Sequence, residues 1–230
     1  MIKLDYIGQS AFTLEANGKT VLLDPFVTGN PVATISADSL NPTTILISHA
    51  HGDHLGDAVA IAKRTGCVVI TLVEIAEYLS EKGVENLQPG NFGGTVAFDG
   101  GTAKFVPAWH TSSFTDDGQK VAIGIPAGFI IRFGGKTIYF AGDTALFGDM
   151  KLIGEEGIDL AILPIGDNYT MGPADAIRAA RLVGATFVLP CHYNTFPLIQ
   201  QDAAKFKADL EAQTESKGIV LSPGASYDLV

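Results

Sequence analysis

Residues 2–7 and 10–16 alternate roughly apolar and polar, the period of strands with one covered face. Asn17-Gly18 follows as a hairpin turn, and residues 20–24 (Thr-Val-Leu-Leu-Asp) continue as a strand that Pro25 stops. Residues 44–48 (Thr-Ile-Leu-Ile-Ser) form a short apolar run, which is how a strand covered on both faces reads. Helical spacing predicts a helix over 55–65 closed by Gly66. A buried strand over 67–72 and a second helix over 73–82 ending at Gly83 complete this stretch.

The chain then returns to strands. Residues 94–98 and 102–107 flank Asp99-Gly100-Gly101, and residues 121–133 and 136–141 flank Gly134-Gly135. The last third alternates helix near 147–155, strand 159–164, helix 173–183, strand 186–190, helix 202–213 and strand 218–222. The β-then-α pattern thus occurs twice. It predicts two similar halves, each a sheet with helices on its outer face, the two sheets packed together. No composition shift or Pro/Gly/Ser linker divides the chain, so residues 1–230 read as one α/β domain.

Composition narrows the class. With 47 % hydrophobic and 17 % charged residues the chain folds to a packed globule and is not disordered. A net charge of −10 without any Lys/Arg run argues against nucleic acid as a partner. Two cysteines, Cys67 and Cys191, make no disulfide framework and read as core. No leader and no run of membrane-spanning length is visible, so a cytoplasmic protein with no membrane partner is expected; whether it forms a homo-oligomer stays open.

The histidines carry the chemistry. There are five, and three fall in the six residues His49-Ala50-His51-Gly52-Asp53-His54. That stretch follows the end of an apolar strand, with the helix expected from about Leu55. Two residues apart in extended backbone, His49 and His51 point to one side, and Gly52 is expected to permit a tight turn before Asp53 and His54. Imidazole and carboxylate are the donors that zinc, manganese or iron accept. His110 and His192 also stand at the C-terminal ends of predicted strands, the edge where sites form in layered α/β folds. Asp143 follows the apolar strand before Gly142 and reads either as a helix N-cap or as a further metal donor. Asp24 reads either as a turn-forming Asp-Pro residue or as the carboxylate that orients a metal-bound histidine.

At these residues the chain resembles the metallo-β-lactamase superfamily. The motif His49-x-His51-x-Asp53-His54, followed by His110, Asp143 and His192, matches that superfamily's ligand set in order. Closer still, it looks like the UPF0173 metal-dependent hydrolases, which are similar to ascorbate-6-phosphate lactonases. Residues 23–26 (Leu-Asp-Pro-Phe), 164–173 (Pro-Ile-Gly-Asp-Asn-Tyr-Thr-Met-Gly-Pro) and 191–197 (Cys-His-Tyr-Asn-Thr-Phe-Pro) carry that likeness.

The resemblance implies a four-layer αββα sandwich and two divalent ions, zinc or manganese, with iron or nickel as further candidates. His49, His51 and His110 would hold the first ion, Asp53, His54 and His192 the second, and Asp143 would bridge them. It implies a hydrolase that uses a metal-bridging hydroxide to cleave a small ester, lactone or phosphodiester, with Asp53 also orienting the nucleophile. No Gly-x-Ser-x-Gly elbow offers a competing nucleophile.

Asn168 and Thr170, in the loop 167–171, and Asn194, after His192, are candidate substrate contacts, as are Thr111, Ser112, Ser113 and Thr195. Each has ordinary loop chemistry as its alternative. Trp109, next to His110, is expected to pack inward by strand alternation. The competing readings are a nuclease on the same fold, disfavoured by the missing basic patch, and a metal-binding protein without catalysis, disfavoured by the complete ligand set.

Overall fold

The computed structural model describes residues 1–230. Its first half contains β1 (Ile2–Gly8), β2 (Ala11–Ala16), β3 (Lys19–Leu23), β4 (Thr44–Leu46), α1 (Gly52–Leu55), α2 (Ala58–Thr65), β5 (Val68–Leu72), α3 (Val73–Glu81) and β6 (Leu87–Gly90). The second contains β7 (Thr95–Phe98), β8 (Gly101–Pro107), β9 (Ser113–Asp116), β10 (Gln119–Ala122), β11 (Ala127–Phe133), β12 (Lys136–Phe140), α4 (Met150–Gly154), β13 (Leu160–Pro164), α5 (Pro173–Val183), β14 (Phe187–Cys191), α6 (Ala203–Gln213), β15 (Lys217–Gly218) and β16 (Ser226–Leu229). One seven-stranded sheet runs β16-β1-β2-β3-β4-β5-β6 and the other β15-β14-β13-β12-β11-β8-β7.

Of the three anticipated glycine turns, two form two-residue hairpins with both central residues at positive φ. Asn17 and Gly18 take φ 52° and 72° between the paired Ala16 and Lys19, and Gly134 and Gly135 take φ 55° and 79° between Phe133 and Lys136. Positive φ at both central positions matches the twist of the flanking strands.

Alternation along the strands separates the layers. Phe129, Ile131, Ile138, Phe140, Leu160 and Ile162 of the second sheet face Leu4, Phe12 and Leu14 of the first in one core. Their neighbours Ile130, Tyr139, Ala161 and Leu163 turn the other way, against Ile153, Ala176, Ala180, Val183 and Phe206 of α4, α5 and α6. Ile61 of α2 and Ile75 and Leu79 of α3 cover the first sheet's outer face. The result is helix, sheet, sheet, helix: the αββα sandwich expected. No helix is long and apolar enough to cross a membrane.

Several boundaries differ from expectation. The helix expected over 55–65 is broken: α1 begins earlier, at Gly52, and Gly56 at φ +43° separates it from α2. A Cβ on Gly56 would lie 2.3 Å from the Pro25 carbonyl oxygen, so only glycine passes there. The strand expected over 121–133 is two. Asp117 (φ 46°) and Gly118 (φ 80°) close a separate β9–β10 hairpin, and Pro126, which has no N–H to donate, falls in the gap before β11. The helix near 147–155 shrinks to α4. The strand over 218–222 is displaced to Lys217–Gly218, while β6 and β16 lack a recognisable pattern because both are four-residue edge strands.

Candidate metal centre

The first sheet's parallel run β3-β4-β5 and the second sheet's β8, β12, β13 and β14 end at one edge of the sandwich. The loops leaving those ends bring the candidate donors together. Asp24 follows β3, the His49–His54 stretch follows β4, His110 follows β8, Asp143 follows β12 and His192 follows β14. His51 sits at the N-cap of α1 in extended backbone, so Asp53 and His54 lie inside the helix, not in a turn before it. Gly52 has no left-handed φ, and a Cβ there would meet nothing within 4 Å; the requirement expected at Gly52 lies instead at Gly56.

Three donor groups result, of which one, Asp24 with His49 and His54, is fully buried away from the cavity lining and the other two form the first and second sets. His49, His51, His110 and Asp143 bring one ligand atom each within 4.8 Å of one another, and Asp53, His54 and His192 do the same. Within the first set, His49 Nε2 is 2.9 Å from His51 Nδ1, which is 3.2 Å from His110 Nε2. Asp143 Oδ2 lies between the sets, 3.5 Å from His110 Nε2, 3.3 Å from His54 Nε2 and 3.0 Å from His192 Nε2. Asp53 Oδ2 stands 3.6 Å from His54 Nε2 and 3.5 Å from His192 Nε2.

The donor set fits divalent metal. His54 Nε2 and Asp143 Oδ1 are buried with no hydrogen-bond partner in the protein, which in a folded interior calls for a ligand of another kind. Five imidazoles and two carboxylates converging at a sheet edge supply the donors zinc, iron or manganese accept.

The tautomers follow from the surrounding bonds. Asp24, fully buried, accepts the Ser48 backbone N–H at 2.7 Å and the Ser48 hydroxyl at 2.6 Å. With its proton so committed, Ser48 Oγ accepts from His49 Nδ1 at 2.9 Å, which leaves His49 Nε2 as a lone pair facing the first set. Asp24 Oδ2 also takes His54 Nδ1 at 2.6 Å and turns His54 Nε2 toward the second set.

Charge divides the two sets. Burial, reinforced by the neighbouring imidazoles, lowers the pKa of His49, His51 and His110, keeping them in the neutral form that binds metal. Burial also opposes charge on His54 and His192, but Asp143 and its neighbours outweigh it. His54 is held well above its ordinary value and His192 is raised to about 9. Burial alone would raise Asp53 and Asp143; the same histidines hold both carboxyls below the usual range.

A cavity of about 930 Å³ opens over the cluster. His51, Asp53, His110, Asp143 and His192 form its floor with Gln9, Gly52 and Thr111. The structure does not bring Asn168, Thr170 or Asn194 into that lining. Asn194 instead spends its amide on Gln201, donating to the carbonyl at 3.0 Å and accepting the N–H at 2.7 Å. Thr170 donates to the Met171 carbonyl, and from the same loop it is Tyr169 that reaches the cavity. Ser112 is buried, accepting from Ala50 N–H and donating to the Ile123 carbonyl, so it anchors the histidine loop. Trp109, expected to pack, is 68 % exposed: the chain has left β8 at Pro107, and strand alternation no longer applies.

Gln9 went unrecognised in the sequence. It sits at φ +57° in the β1–β2 turn, donates Nε2 to Asp53 Oδ2 at 2.8 Å, and its carbonyl accepts the N–H of His192, itself at φ +53°. The available signal was a polar Gln-Ser pair between two apolar strands.

A family model described as the beta-lactamase superfamily domain matches residues 19–193. The UPF0173 metal-dependent hydrolase of Shouchella clausii is 50 % identical over 231 residues, covering 99 % of this chain and all of the relative. That of Pelotomaculum thermopropionicum is 47 % identical over 230 residues with the same coverage. Among solved structures, Igni18, a metallo hydrolase from Ignicoccus hospitalis, superposes with a TM-score of 0.88 at 36 % identity, over 100 % of this chain and 99 % of that one.

Proposed function

The chain belongs to the beta-lactamase superfamily as a UPF0173 metal-dependent hydrolase, and from that premise we propose that residues 1–230 form one hydrolase domain with a two-metal centre that cleaves a small ester, lactone or phosphodiester. His49, His51 and His110 hold the first ion, Asp53, His54 and His192 the second, and Asp143 serves both. The observation that carries this reading is the position of Asp143 Oδ2, within 3.5 Å of histidine nitrogens from both sets. Zinc or manganese suits this nitrogen and oxygen donor set. Bound there, such ions acidify water toward neutrality and polarise the scissile carbonyl or phosphoryl oxygen.

The chain's own residues prepare that chemistry. Asp24 fixes the tautomers of His54 and, through Ser48, His49. Gln9 holds Asp53 through Oδ2. Asp53, at the cavity floor, orients the attacking water and takes its proton. Thr111 Oγ1, 3.4 Å from His51 Nε2, stands beside the first set and faces the substrate.

The test is turnover of p-nitrophenyl acetate and bis(p-nitrophenyl) phosphate by protein stripped with chelator and reloaded with manganese or zinc. Activity on at least one substrate should return with metal and be absent from His51→Ala. No turnover of either by metal-loaded protein would contradict the proposal.

A further inference from the structure

The segment after His192 presents apolar side chains outward. Phe196 is 36 % and Leu198 65 % exposed, whereas Ile199 beside them is fully buried. This presentation is built into the loop. Asn194 N–H donates to the Ile199 carbonyl at 2.8 Å, the Asn194 amide grips Gln201, and Gln201 Nε2 donates to the Gly166 carbonyl at 3.2 Å. Phe26 brings its ring centroid to 6.5 Å from that of Phe196, and Tyr169 adds a further exposed ring. With Pro197, these side chains form the apolar wall of the cavity whose floor is the histidine and aspartate cluster. Apolar side chains held in water around a concave polar floor mark a ligand surface.

Charge sharpens the point. No Lys or Arg lines this cavity. The adjoining groove, which shares His51 and Gly52 with the cavity, has a single one, Lys120. The chain as a whole carries −10. A phosphate or carboxylate on the part of a substrate remote from the reacting bond would meet only carbon and hydroxyl there, at the cost of desolvating its charge.

We propose that the substrate is an uncharged ester or lactone bearing an apolar alkyl or aryl group, which seats against Phe26, Tyr169, Phe196, Pro197 and Leu198 while its carbonyl lies over the cluster. This rests on the hydrolase reading above and narrows it: phosphorylated sugar lactones and phosphodiesters are not the favoured substrates. The wall selects by burying carbon, and the floor supplies the polar contacts.

The experiment compares kcat/KM of metal-loaded protein for p-nitrophenyl acetate, butyrate and hexanoate and for bis(p-nitrophenyl) phosphate. The value should rise about fourfold per added methylene along the ester series and be lowest for the phosphodiester. Phe196→Ala and Leu198→Ala, both at exposed positions, should each cut the hexanoate-to-acetate ratio by about tenfold. Leu152→Ala, an exposed leucine on α4, should leave it unchanged. A flat ester series, a ratio unmoved by both wall variants, or the phosphodiester turning over fastest would overturn the proposal and leave the hydrolase reading standing. Saturation-transfer NMR of 4-phenyl-2-butanone, which cannot be hydrolysed, reads the wall independently of turnover. Binding by wild type that is lost in the Phe196→Ala/Leu198→Ala double variant supports the wall as the seat of the substrate's carbon; no binding by wild type, or turnover of the phosphodiester with none of the esters, overturns the proposal.

Discussion

Asp24 Oδ2 accepts the Nδ1 proton of His54 at 2.6 Å, and through the Ser48 hydroxyl the same carboxylate directs Nδ1 of His49. One buried side chain therefore sets the facing nitrogen of a histidine in each donor set. Asp24→Asn keeps the shape but can offer an amide N–H to His54 Nδ1, which forces the ring proton onto Nε2, the atom that must face the metal. The expected outcome is a loss of metal affinity of about 10- to 100-fold, read by competition with a chromophoric chelator.

Metal uptake should release protons. Without metal, His192, raised to about 9, and His54, held well above its ordinary value, are both protonated at neutral pH. Both must be neutral to bind an ion, so loading at pH 7 expels protons and affinity falls as pH falls. Calorimetric titrations in two buffers of different ionisation enthalpy measure the number released; a heat independent of buffer would contradict this assignment.

The same shift gives the metal-free fold a signed pH dependence. A histidine whose folded pKa is raised contributes stability that is fully present below its unfolded pKa, near 6.5, and is lost as pH rises through the folded value of about 9. The melting temperature of stripped protein should therefore drop between about pH 6.5 and pH 9. Metal-loaded protein should not follow it, because its histidines are already neutral.

Two glycines separate conformational cost from steric cost. Gly66 caps α2 at φ +67° with open space where a Cβ would go, so Gly66→Ala should cost only about 1 kcal/mol. Gly56→Ala adds a backbone clash with Pro25 and should cost on the order of 3 kcal/mol or more. Because Gly56 anchors the helix that carries Asp53 and His54, it should also lower metal content. Urea denaturation and metal analysis of the two variants distinguish them.

Gln9→Leu removes the 2.8 Å hydrogen bond to Asp53 at nearly constant volume. A hydrogen bond to an ionised carboxylate is worth about 1.5–3 kcal/mol. The expected result is a kcat lowered by about tenfold or more, with metal content retained. Equal loss of activity and bound metal would instead make Gln9 a purely structural residue.

The convergence of the candidate donors was legible in the sequence because some of them cluster locally and because strand ends announce themselves. His49, His51, Asp53 and His54 need only one strand and one helix start to meet, and His110, Asp143 and His192 each follow an apolar strand. The substrate side was not legible. Gln9 acts on Asp53 across 44 positions of sequence. Nothing in the sequence marks Phe196 and Leu198 as exposed until the loop that turns them outward is seen, whereas Asn168 and Asn194, which read as candidate contacts, are not among the residues lining the cavity. Asp117-Gly118 was a hairpin signal in plain view, hidden by the longer apolar run after it. The helix break at Gly56 depends on the Pro25 carbonyl, which local periodicity does not report.

The most direct test of a two-metal hydrolase is to add zinc or manganese back to chelator-stripped protein in measured equivalents, while following ester hydrolysis and bound metal together. No turnover is expected at zero equivalents, and both signals should reach a plateau at two ions per chain. Turnover that survives stripping, or a chain that binds no metal, would contradict it.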